Sequence, residues 1–201
     1  MAREWSPFEV GRKFHIKPDS FSKTKKGKIN IILGRGLAFG SGEHETTRHC
    51  LEIMETLPFL PYHTVLDYGS GTGILAIAAA KLNATSIIAL DIDFHAAISC
   101  QNNARLNHVD KNISIVCGDL MCIDQSIKFS TILANIYADL ILENFIFLSN
   151  HLKKFGYFLI SGIDWDYLYD VKRRFSQLNY LVVNEKTGYD YNSILYRKLF
   201  D

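Results

Sequence analysis

From Thr64 onward the chain alternates between two hydrophobic periodicities, and this alternation restricts the fold more than any other feature of the sequence. A two-residue period predicts strands, whereas a period near 3.6 residues predicts helices. The predicted strands are Thr64–Tyr68, Ser86–Asp91, Ile113–Cys117, Ser130–Asn135, Tyr157–Gly162, Tyr180–Asn184 and Ser193–Leu199. The predicted helices are Gly73–Leu82, His95–Asn107, Ala138–Lys154 and Asp166–Leu178. This order indicates an α/β fold with a doubly wound, seven-stranded, mostly parallel sheet that ends in an antiparallel strand pair.

The first part of the chain departs from this alternation. Two short apolar stretches, Phe8–Val10 and Phe14–Ile16, predict a small hairpin. A glycine-rich segment then leads into a predicted helix over Glu43–Leu57. We therefore predict an N-terminal hairpin and linker appendage at residues 1–35, followed by one ligand-binding domain at residues 36–201.

Composition narrows the class of protein. The chain has 201 residues, of which 48% are hydrophobic, and this is enough to bury one substantial core. A formal net charge of +1 argues against the global cationic field that drives direct nucleic-acid binding. The N-terminus lacks the apolar core of a signal peptide, and no stretch approaches the roughly 20 apolar residues of a membrane span.

The cysteines indicate the compartment. Cys50, Cys100, Cys117 and Cys122 lie in segments that we predict to form core, and none has Cys-x-x-Cys spacing. We expect buried, reduced thiols rather than a disulfide framework or a zinc site. This expectation, together with the absence of a signal peptide or membrane span from the sequence, predicts a cytoplasmic protein.

A glycine-rich loop between the first predicted strand and its helix is the main candidate for ligand binding. Gly69, Gly71 and Gly73 allow backbone to approach a ligand closely, because glycine has no Cβ and tolerates unusual dihedrals. Asp67 precedes the loop, and Asp91 ends the next strand. A carboxylate at the second strand's end accepts hydrogen bonds from both ribose hydroxyls of a nucleoside. The pattern predicts a ribonucleoside ligand.

Two ligands compete for this loop, and a loop without any ligand is a third interpretation. Dinucleotide folds favour Gly-x-Gly-x-x-Gly, whose helix N-terminus meets a pyrophosphate. Here the third glycine comes one residue early, and Asp67 would bring a negative charge close to that pyrophosphate. S-adenosyl-L-methionine carries an ammonium and a sulfonium but no phosphate, so the loop favours it over a nicotinamide dinucleotide. A glycine turn that only packs a helix on the sheet remains open.

Two further polar residues follow strands on the same side of the predicted sheet. Ligands in open α/β sheets lie beyond the carboxyl ends of the strands. Asp119 could accept from an adenine amino group, but a helix-capping role is an open alternative. Asn135 ends the fourth strand, where its amide oxygen would face the reactive methyl group. A buried amide that satisfies backbone groups is the alternative for Asn135.

These motifs are similar to those in the catalytic domain of the bacterial ribosomal protein L11 methyltransferase (PrmA) family. The segment Gly36–Thr47 resembles the family's loop Gly-Leu-Ala-Phe-Gly-Thr-Gly-x-His-x-Thr-Thr, which is far more specific than the glycine loop. The other matching segments are Val65–Ala79, Asp91–Asp93, Ala134–Ile136 and Leu159–Ile163. The resemblance covers roughly Phe8 to Lys198 and implies a class I, Rossmann-like methyltransferase fold.

The resemblance implies methyl transfer from S-adenosylmethionine to protein amino groups, either lysine side chains or an N-terminal amine. It places cofactor contacts at Thr47, Gly69, Asp91 and Asn135. The partner would then be a protein, for example a ribosomal protein. Members of the family carry an additional N-terminal domain that docks the ribosomal protein, and we expect this chain to lack it.

The sequence also departs from the family's pattern beside the active-site loop. Gly34-Arg35 replaces Asp-Pro, and Glu45 replaces the proline between the histidine and the two threonines. These departures flank the acceptor side of the predicted site. They therefore put the identity of the substrate in question more than cofactor binding.

Methyl transfer is an in-line displacement, so the protein contributes position and electrostatics rather than a metal or a covalent nucleophile. Asn135 is the candidate for holding the acceptor amine. Phe39 and Tyr137 are candidates for lining its site, where their ring faces would stabilise a cation by about 0.5–2 kcal/mol. Ordinary core packing is the alternative for both rings. His44 would cap the helix or order the loop, with a general base as a weaker interpretation.

Two other functions remain open at this point. A methyltransferase for a small metabolite or a peptide natural product is favoured by the expected lack of a docking domain. A non-catalytic cofactor-binding subunit is disfavoured because Asp91, Asn135 and the glycine loop are all intact.

Overall fold

The computed structural model describes residues 5–34, 40 and 42–200 of the chain. The strands are β1 (Phe8–Val10), β2 (Phe14–Pro18), β3 (Ile29–Leu33), β4 (Thr64–Tyr68), β5 (Ser86–Asp91), β6 (Ile113–Cys117), β7 (Phe129–Asn135), β8 (Leu152–Asp164), β9 (Tyr180–Thr187) and β10 (Tyr191–Lys198). The helices are α1 (Glu45–Met54), α2 (Ile74–Lys81), α3 (Phe94–Leu106), α4 (Ala138–His151) and α5 (Leu168–Gln177), and a short 3-10 helix spans Leu120–Cys122.

The main sheet has seven strands in the order β6-β5-β4-β7-β8-β10-β9. Strands β4 to β8 pair in parallel, whereas β10 pairs antiparallel with both β8 and β9. The predicted α/β fold with its terminal antiparallel pair is therefore confirmed. The strand order reverses between β4 and β7, and ligands of such sheets bind in the crevice outside the carboxyl ends at this reversal.

Helices cover both faces of this sheet because successive strand residues point to opposite sides. Val65 belongs to a buried cluster that includes α1, α2 and α3, and the next residue, Leu66, belongs to a second cluster that includes α4 and α5. Strand residues that are apolar on both faces are typical of a sheet that is covered on both sides. The two cores fix the positions of the loops at the carboxyl ends of the parallel strands.

The N-terminal strands form a separate sheet in the order β1-β2-β3, with β1 and β2 antiparallel as predicted. Val10, Phe14 and Ile31 are fully buried and share a cluster with residues of α1 and α2. The boundary that we predict at residue 35 falls in the stretch 35–39, which lies outside the described residues. The two-part division stays a prediction.

Several predicted boundaries were wrong by three or more residues. The first long helix ends at Met54 rather than Leu57, β8 begins at Leu152 rather than Tyr157, and β9 ends at Thr187 rather than Asn184. Helix α4 ends at His151 rather than Lys154, because Leu152 has extended backbone dihedrals and begins β8. The register between β7 and β8 passes from Phe129↔Leu152 to Thr131↔Tyr157, so extra β8 residues bulge out there. A helical period cannot be told from such an irregular strand start by hydrophobicity alone.

The cysteines follow the expectation only in part. All four are free thiols, and Cys50 and Cys100 are buried, which raises the pKa of each to about 12. Cys117 and Cys122 are exposed, so the expectation of burial was wrong for them. Cys117 ends an edge strand and Cys122 lies in the short 3-10 helix beyond it. In the described part of the chain, no helix has the length and apolar character needed to cross a membrane.

Candidate functional site

A cavity of about 500 Å³ lies at the carboxyl ends of β4, β5 and β7, where the strand order reverses. Its lining comes from the loops that follow β4, β5 and β7, from the start of α1, and from β8 and β10. The lining residues are His44, Thr46, Tyr68, Gly69, Gly71, Asp91, Ile92, Asn135, Ile136, Tyr137, Leu140, Gly162 and Tyr191. Two predicted cofactor glycines, Asp91, Asn135 and Tyr137 are thus brought together in one cavity.

The glycine loop forms the inner wall of this cavity. Gly69 and Gly71 have φ angles of +74° and +53°, which side chains rarely adopt. A Cβ on Gly69 would lie 2.3 Å from Cγ2 of Ile136, so the β7–α4 connection can approach the loop only because this residue is glycine. The backbone N–H groups of Gly69 and Ser70 donate to the carbonyl of Leu90, which ties the loop to β5.

Asp91 lies beside this loop with a fixed carboxylate. Its Oδ2 accepts a hydrogen bond from the Gly71 N–H at 2.8 Å, and its Oδ1 accepts one from the Asp93 N–H at 3.0 Å. Each carboxylate oxygen has two lone-pair directions, so one on each oxygen stays available to a ligand. A half-buried carboxylate held in this way suits the vicinal hydroxyls of a ribose.

Asp67 and Gly73 lie behind the loop rather than in the cavity lining. The Asp67 carboxylate accepts from the Ala76 N–H at 2.9 Å, in the first turn of α2. Burial, partly offset by this bond, raises the pKa of Asp67 to about 7. Gly73 begins α2 with a φ of +77°, and a Cβ there would lie 2.4 Å from Sγ of Cys100. Both residues therefore position the loop in this structure.

Asp119 caps the short 3-10 helix. Its carboxylate accepts from the Met121 N–H at 2.9 Å, which is the alternative role that the sequence left open. The residue is exposed and lies outside the cavity lining. Its charge still acts on the cavity, because the pKa of Tyr68 is raised by burial first and then by Glu143 and Asp119.

Asn135 and Thr47 are joined across the cavity floor. The Asn135 Nδ2 donates to the Thr47 Oγ1 at 3.2 Å, which orients the amide so that its other atom, Oδ1, points away from this bond. Asn135 is half-buried and lines the cavity, whereas Thr47 is fully buried. Thr47 therefore holds Asn135, and the amide oxygen is the group that can face a ligand.

The structure describes only some of the ring-bearing residues that we predicted near the acceptor. Phe39 lies outside the described residues. Tyr137 lines the cavity and is 69% exposed, so it is not a core aromatic residue. His44 caps α1, since its Nδ1 accepts from the Thr46 N–H at 3.4 Å. The capping role that we predicted for His44 is confirmed.

Several cavity residues were missed from the sequence. Ile92 follows Asp91 directly, lines the cavity and is 79% exposed. The sequence could have indicated this residue, because Ile92 lies between Asp91 and Asp93 at the end of a predicted strand. Gly162 and Tyr191 reach the cavity from β8 and β10. Gly162 had a signal, because it ends a predicted strand inside a segment that matches the family, whereas nothing in the local sequence marks Tyr191.

The lining of the cavity is acidic and aromatic. Within the described residues it includes the carboxylate of Asp91, the rings of Tyr68, Tyr137 and Tyr191, and no lysine or arginine. The charges of Glu143 and Asp119 also act on Tyr68. This distribution of charge favours a cationic ligand, although the whole chain is nearly neutral.

A second and larger cavity, of about 790 Å³, lies at the amino ends of β7 and β8. Two of its four lysines bind carbonyls at the C-terminal end of α4, as Lys128 donates to the Asn150 carbonyl and Lys198 to the Leu152 carbonyl. Cations near a helix C-terminus stabilise that terminus. We place the functional site in the smaller cavity, because ligands of this kind of sheet bind at the carboxyl ends of the strands.

Comparisons with known proteins identify the family to which this chain is similar. Residues 1–198 match a family model described as ribosomal protein L11 methyltransferase (PrmA). A ribosomal protein L11 methyltransferase from Staphylococcus aureus is 36% identical over 189 residues, which cover 91% of this chain and 60% of that protein. The chain thus spans about 60% of the length of the curated relatives it matches.

Solved structures give the same result for the fold. A ribosomal protein L11 methylase from Lactobacillus delbrueckii subsp. bulgaricus superposes with a TM-score of 0.83 at 30% identity, over 96% of this chain and all of that one. A precorrin-6y methyltransferase from Geobacter metallireducens, at 14% identity and a TM-score of 0.65 over 79% of this chain and 92% of that one, shares the fold alone.

Proposed function

Because the chain belongs to the ribosomal protein L11 methyltransferase (PrmA) family, we propose that it transfers a methyl group from S-adenosylmethionine to an amino group of a protein. The acceptor is a lysine side chain or an N-terminal amine, and a ribosomal protein is the first candidate to carry it. The observation that supports this most directly is the cavity that joins the glycine loop, Asp91 and Asn135 at the reversal of strand order.

The residues present fit the cofactor. Gly69 leaves the loop backbone open toward the cavity, and Asp91 offers an oriented carboxylate to ribose hydroxyls. Ile92 offers an exposed apolar surface to the adenine ring. These residues, with Gly71 and Asn135, would hold S-adenosylmethionine, which supplies an electrophilic methyl group when bound.

The charge around the cavity suits a cationic acceptor. Glu143 and Asp119 act on Tyr68 inside the cavity, and the described lining holds the carboxylate of Asp91 and no lysine or arginine. A negative potential at a cleft raises the local concentration of a cation and its rate of association. The mouth therefore attracts the ammonium form of a lysine, which is the form that exists in water at neutral pH.

The interior of the cavity then favours loss of the proton. A lysine amine has a solution pKa near ~10.4 and attacks only as the neutral amine. Ile136 and Leu140 line the cavity with apolar surface, and desolvation lowers the pKa of an amine. The Asn135 Oδ1 accepts one N–H of the amine and leaves its lone pair free for the attack. Thr47 keeps the amide in that orientation.

We also propose that the protein acts in the cytoplasm. Cys117 and Cys122 are exposed free thiols, a state that persists in a reducing compartment and is disfavoured in an oxidising one. Fractionation of cells that express a tagged chain measures this directly. The protein should follow cytoplasmic markers, and recovery with a secreted or membrane fraction would contradict the proposal.

Two measurements test the proposed activity. Calorimetric titration should show saturable binding of S-adenosylhomocysteine and none of a nicotinamide dinucleotide. Incubation of cell lysate with the chain and methyl-labelled cofactor should label a protein. If the label appears only in small molecules, the proposal of a protein acceptor is wrong. If the chain binds the dinucleotide and not S-adenosylhomocysteine, the proposed cofactor is wrong.

A further inference from the structure

Glu45 makes an unusual set of contacts with a distant part of the chain. The residue occupies the first position of α1, and its carboxylate accepts three backbone N–H groups from the turn between β9 and β10. The Tyr189 N–H lies 3.0 Å from Oε2, and the Asp190 and Tyr191 N–H groups lie 3.0 and 2.9 Å from Oε1. Hydrogen bonds to a charged acceptor are about twice as strong as neutral ones.

The electrostatics of Glu45 agree with this geometry. Burial acts to raise the pKa of its carboxyl group, but the three N–H donors outweigh burial and the pKa is lowered. The charged carboxylate is therefore the form that the turn binds. Many residues suit the first position of a helix, proline among them, but a proline could not make these contacts.

The turn itself is shaped for this approach. A Cβ on Gly188 would lie 2.5 Å from Oε2 of Glu45 and 2.8 Å from the Tyr191 carbonyl oxygen, so glycine at residue 188 suits both the turn and its approach to the carboxylate. The Gly188 N–H donates to the Tyr191 carbonyl at 2.8 Å and closes the turn. The glycine of the turn and the carboxylate on α1 are therefore complementary, although they are far apart in the sequence.

The turn carries one residue into the cavity. Tyr191 lines the cavity wall, and its ring centroid lies 5.5 Å from that of His44, which directly precedes Glu45. Tyr137 and Leu140 line the cavity from the β7–α4 side. The pairing of His44 with Tyr191 therefore depends on the contact between α1 and the turn.

We propose that Glu45 is a positioning residue for the acceptor: it holds the Gly188–Tyr191 turn so that Tyr191 and His44 form the wall against which the amine-bearing side chain lies. This inference rests on the proposed function. The cofactor side of the cavity, at Gly69 and Asp91, has no contact with the turn in the hydrogen bonds of the described residues. Loss of Glu45 should therefore affect the acceptor and spare the cofactor.

The chain offers a matched control on the same helix. Glu52 also lies on α1 and pairs with Lys186 of β9 at 2.6 Å, so it links the same two elements at a distance from the cavity. Glu52→Ala removes one carboxylate and one link between α1 and β9 without touching the turn. Glu45→Ala and Glu45→Gln remove or neutralise the carboxylate that binds the turn.

Steady-state kinetics with the protein acceptor, together with calorimetry of S-adenosylhomocysteine, test the inference. Glu45→Ala should lower kcat/KM for the acceptor roughly tenfold to a hundredfold, since an ~1 Å misplacement has effects of that size on rate. The Kd of S-adenosylhomocysteine should stay within about twofold, since no ligand contact is removed. Glu45→Gln should fall between, because its amide oxygen can still accept from the turn, and Glu52→Ala should leave both values unchanged.

A spectroscopic measurement does not depend on activity. Trp165 Nε1 donates to the Tyr189 carbonyl at 3.2 Å, so its fluorescence reports on the turn. Trp5 is the other tryptophan, and a Trp5→Phe background removes its signal. Glu45→Gln, which preserves the shape of the side chain, should shift the Trp165 emission, and Glu52→Ala should not.

The outcomes separate the inference from the proposed function. If the unmodified chain binds the cofactor and methylates the acceptor, an unchanged kcat/KM for the acceptor in folded Glu45→Ala and Glu45→Gln overturns the positioning role. An equal loss in Glu52→Ala also overturns it, because any link between α1 and β9 would then suffice. If the unmodified chain neither binds S-adenosylhomocysteine nor transfers methyl groups, the proposed function itself fails. A shift of Trp165 emission in Glu45→Gln alone would still support the contact with the turn.

Discussion

Replacing Asp91 by alanine is the sharpest test of the cofactor side of the cavity. The Asp91 carboxylate is fixed by the Gly71 and Asp93 N–H groups at 2.8 and 3.0 Å and faces the cavity. We expect Asp91→Ala to weaken cofactor binding because a ribose hydroxyl loses a charged acceptor.

The structure sets the size of this effect. A hydrogen bond to a charged group contributes about 1.5–3 kcal/mol, which corresponds to roughly tenfold to 150-fold in Kd. The N–H groups that Asp91 leaves behind lie beside an open cavity, where water can replace it, so we expect little further cost from the loop. Asp91→Asn keeps an acceptor of the same size and should lose less affinity than Asp91→Ala.

Asp93 provides the control for this experiment. It belongs to the same acidic stretch, but its carboxylate caps α3 through the His95 N–H at 2.8 Å and lies outside the cavity lining. Asp93→Ala should cost about 1 kcal/mol of folding stability, as a lost helix cap does, and leave the Kd unchanged. Calorimetry with S-adenosylhomocysteine and urea unfolding measure both quantities. A folded Asp91→Ala with unchanged affinity would refute the assignment, as would an equal loss in Asp93→Ala.

Three further substitutions probe separate parts of the site. Gly162→Ala should destabilise the chain by about 1–3 kcal/mol in urea unfolding, because its φ is +81° and a Cβ would lie 2.6 Å from the Ile136 carbonyl oxygen; an unchanged unfolding midpoint would contradict the close approach. Asn135→Ala should lower kcat up to about a hundredfold at saturating cofactor, with a smaller loss of cofactor affinity, since an amide that orients the acceptor acts mainly in the transition state; full activity would leave Asn135 as a cofactor or structural residue only. Asp67 has a pKa raised to about 7 by burial, so its neutral form favours the folded state. Its contribution to stability is complete below the unfolded pKa of about 4 and is lost as the pH rises through about 7. Asp67→Asn, which can still accept from Ala76, should not show this decline between pH 4 and 7, and parallel stability curves for the two proteins would refute the burial argument.

The part of the fold in which strands and helices alternate could be predicted closely from the sequence. Strands β4, β5 and β6 begin and end at the predicted residues, because a parallel sheet that is covered on both faces needs short, continuous apolar runs. The irregular start of β8 could not be predicted, since Leu152–Gly156 is apolar and basic without a clear period. Local hydrophobicity does not encode where a bulge enters a strand.

The site could be predicted where its residues end strands or lie in the loops that directly follow them. Asp91 and Asn135 were found because the topology of a parallel sheet brings strand ends together. Tyr191 was missed, as its place in the cavity depends on a contact between α1 and a turn that lies 145 residues further along the chain at Asp190. The burial of Asp67 was also missed, because an acid beside a glycine loop suggests a ligand contact until the helix behind it is in place.

Methyl transfer to a defined protein tests the central claim most directly. Purified ribosomal protein L11, incubated with the chain and S-adenosylmethionine, is digested and examined by mass spectrometry, with Asn135→Ala as the matched control. Our account predicts methyl groups on lysine side chains or on the N-terminal amine, at a rate that falls sharply with Asn135→Ala. An unmodified acceptor, with labelled methyl groups absent from every other protein of a lysate as well, would contradict the account.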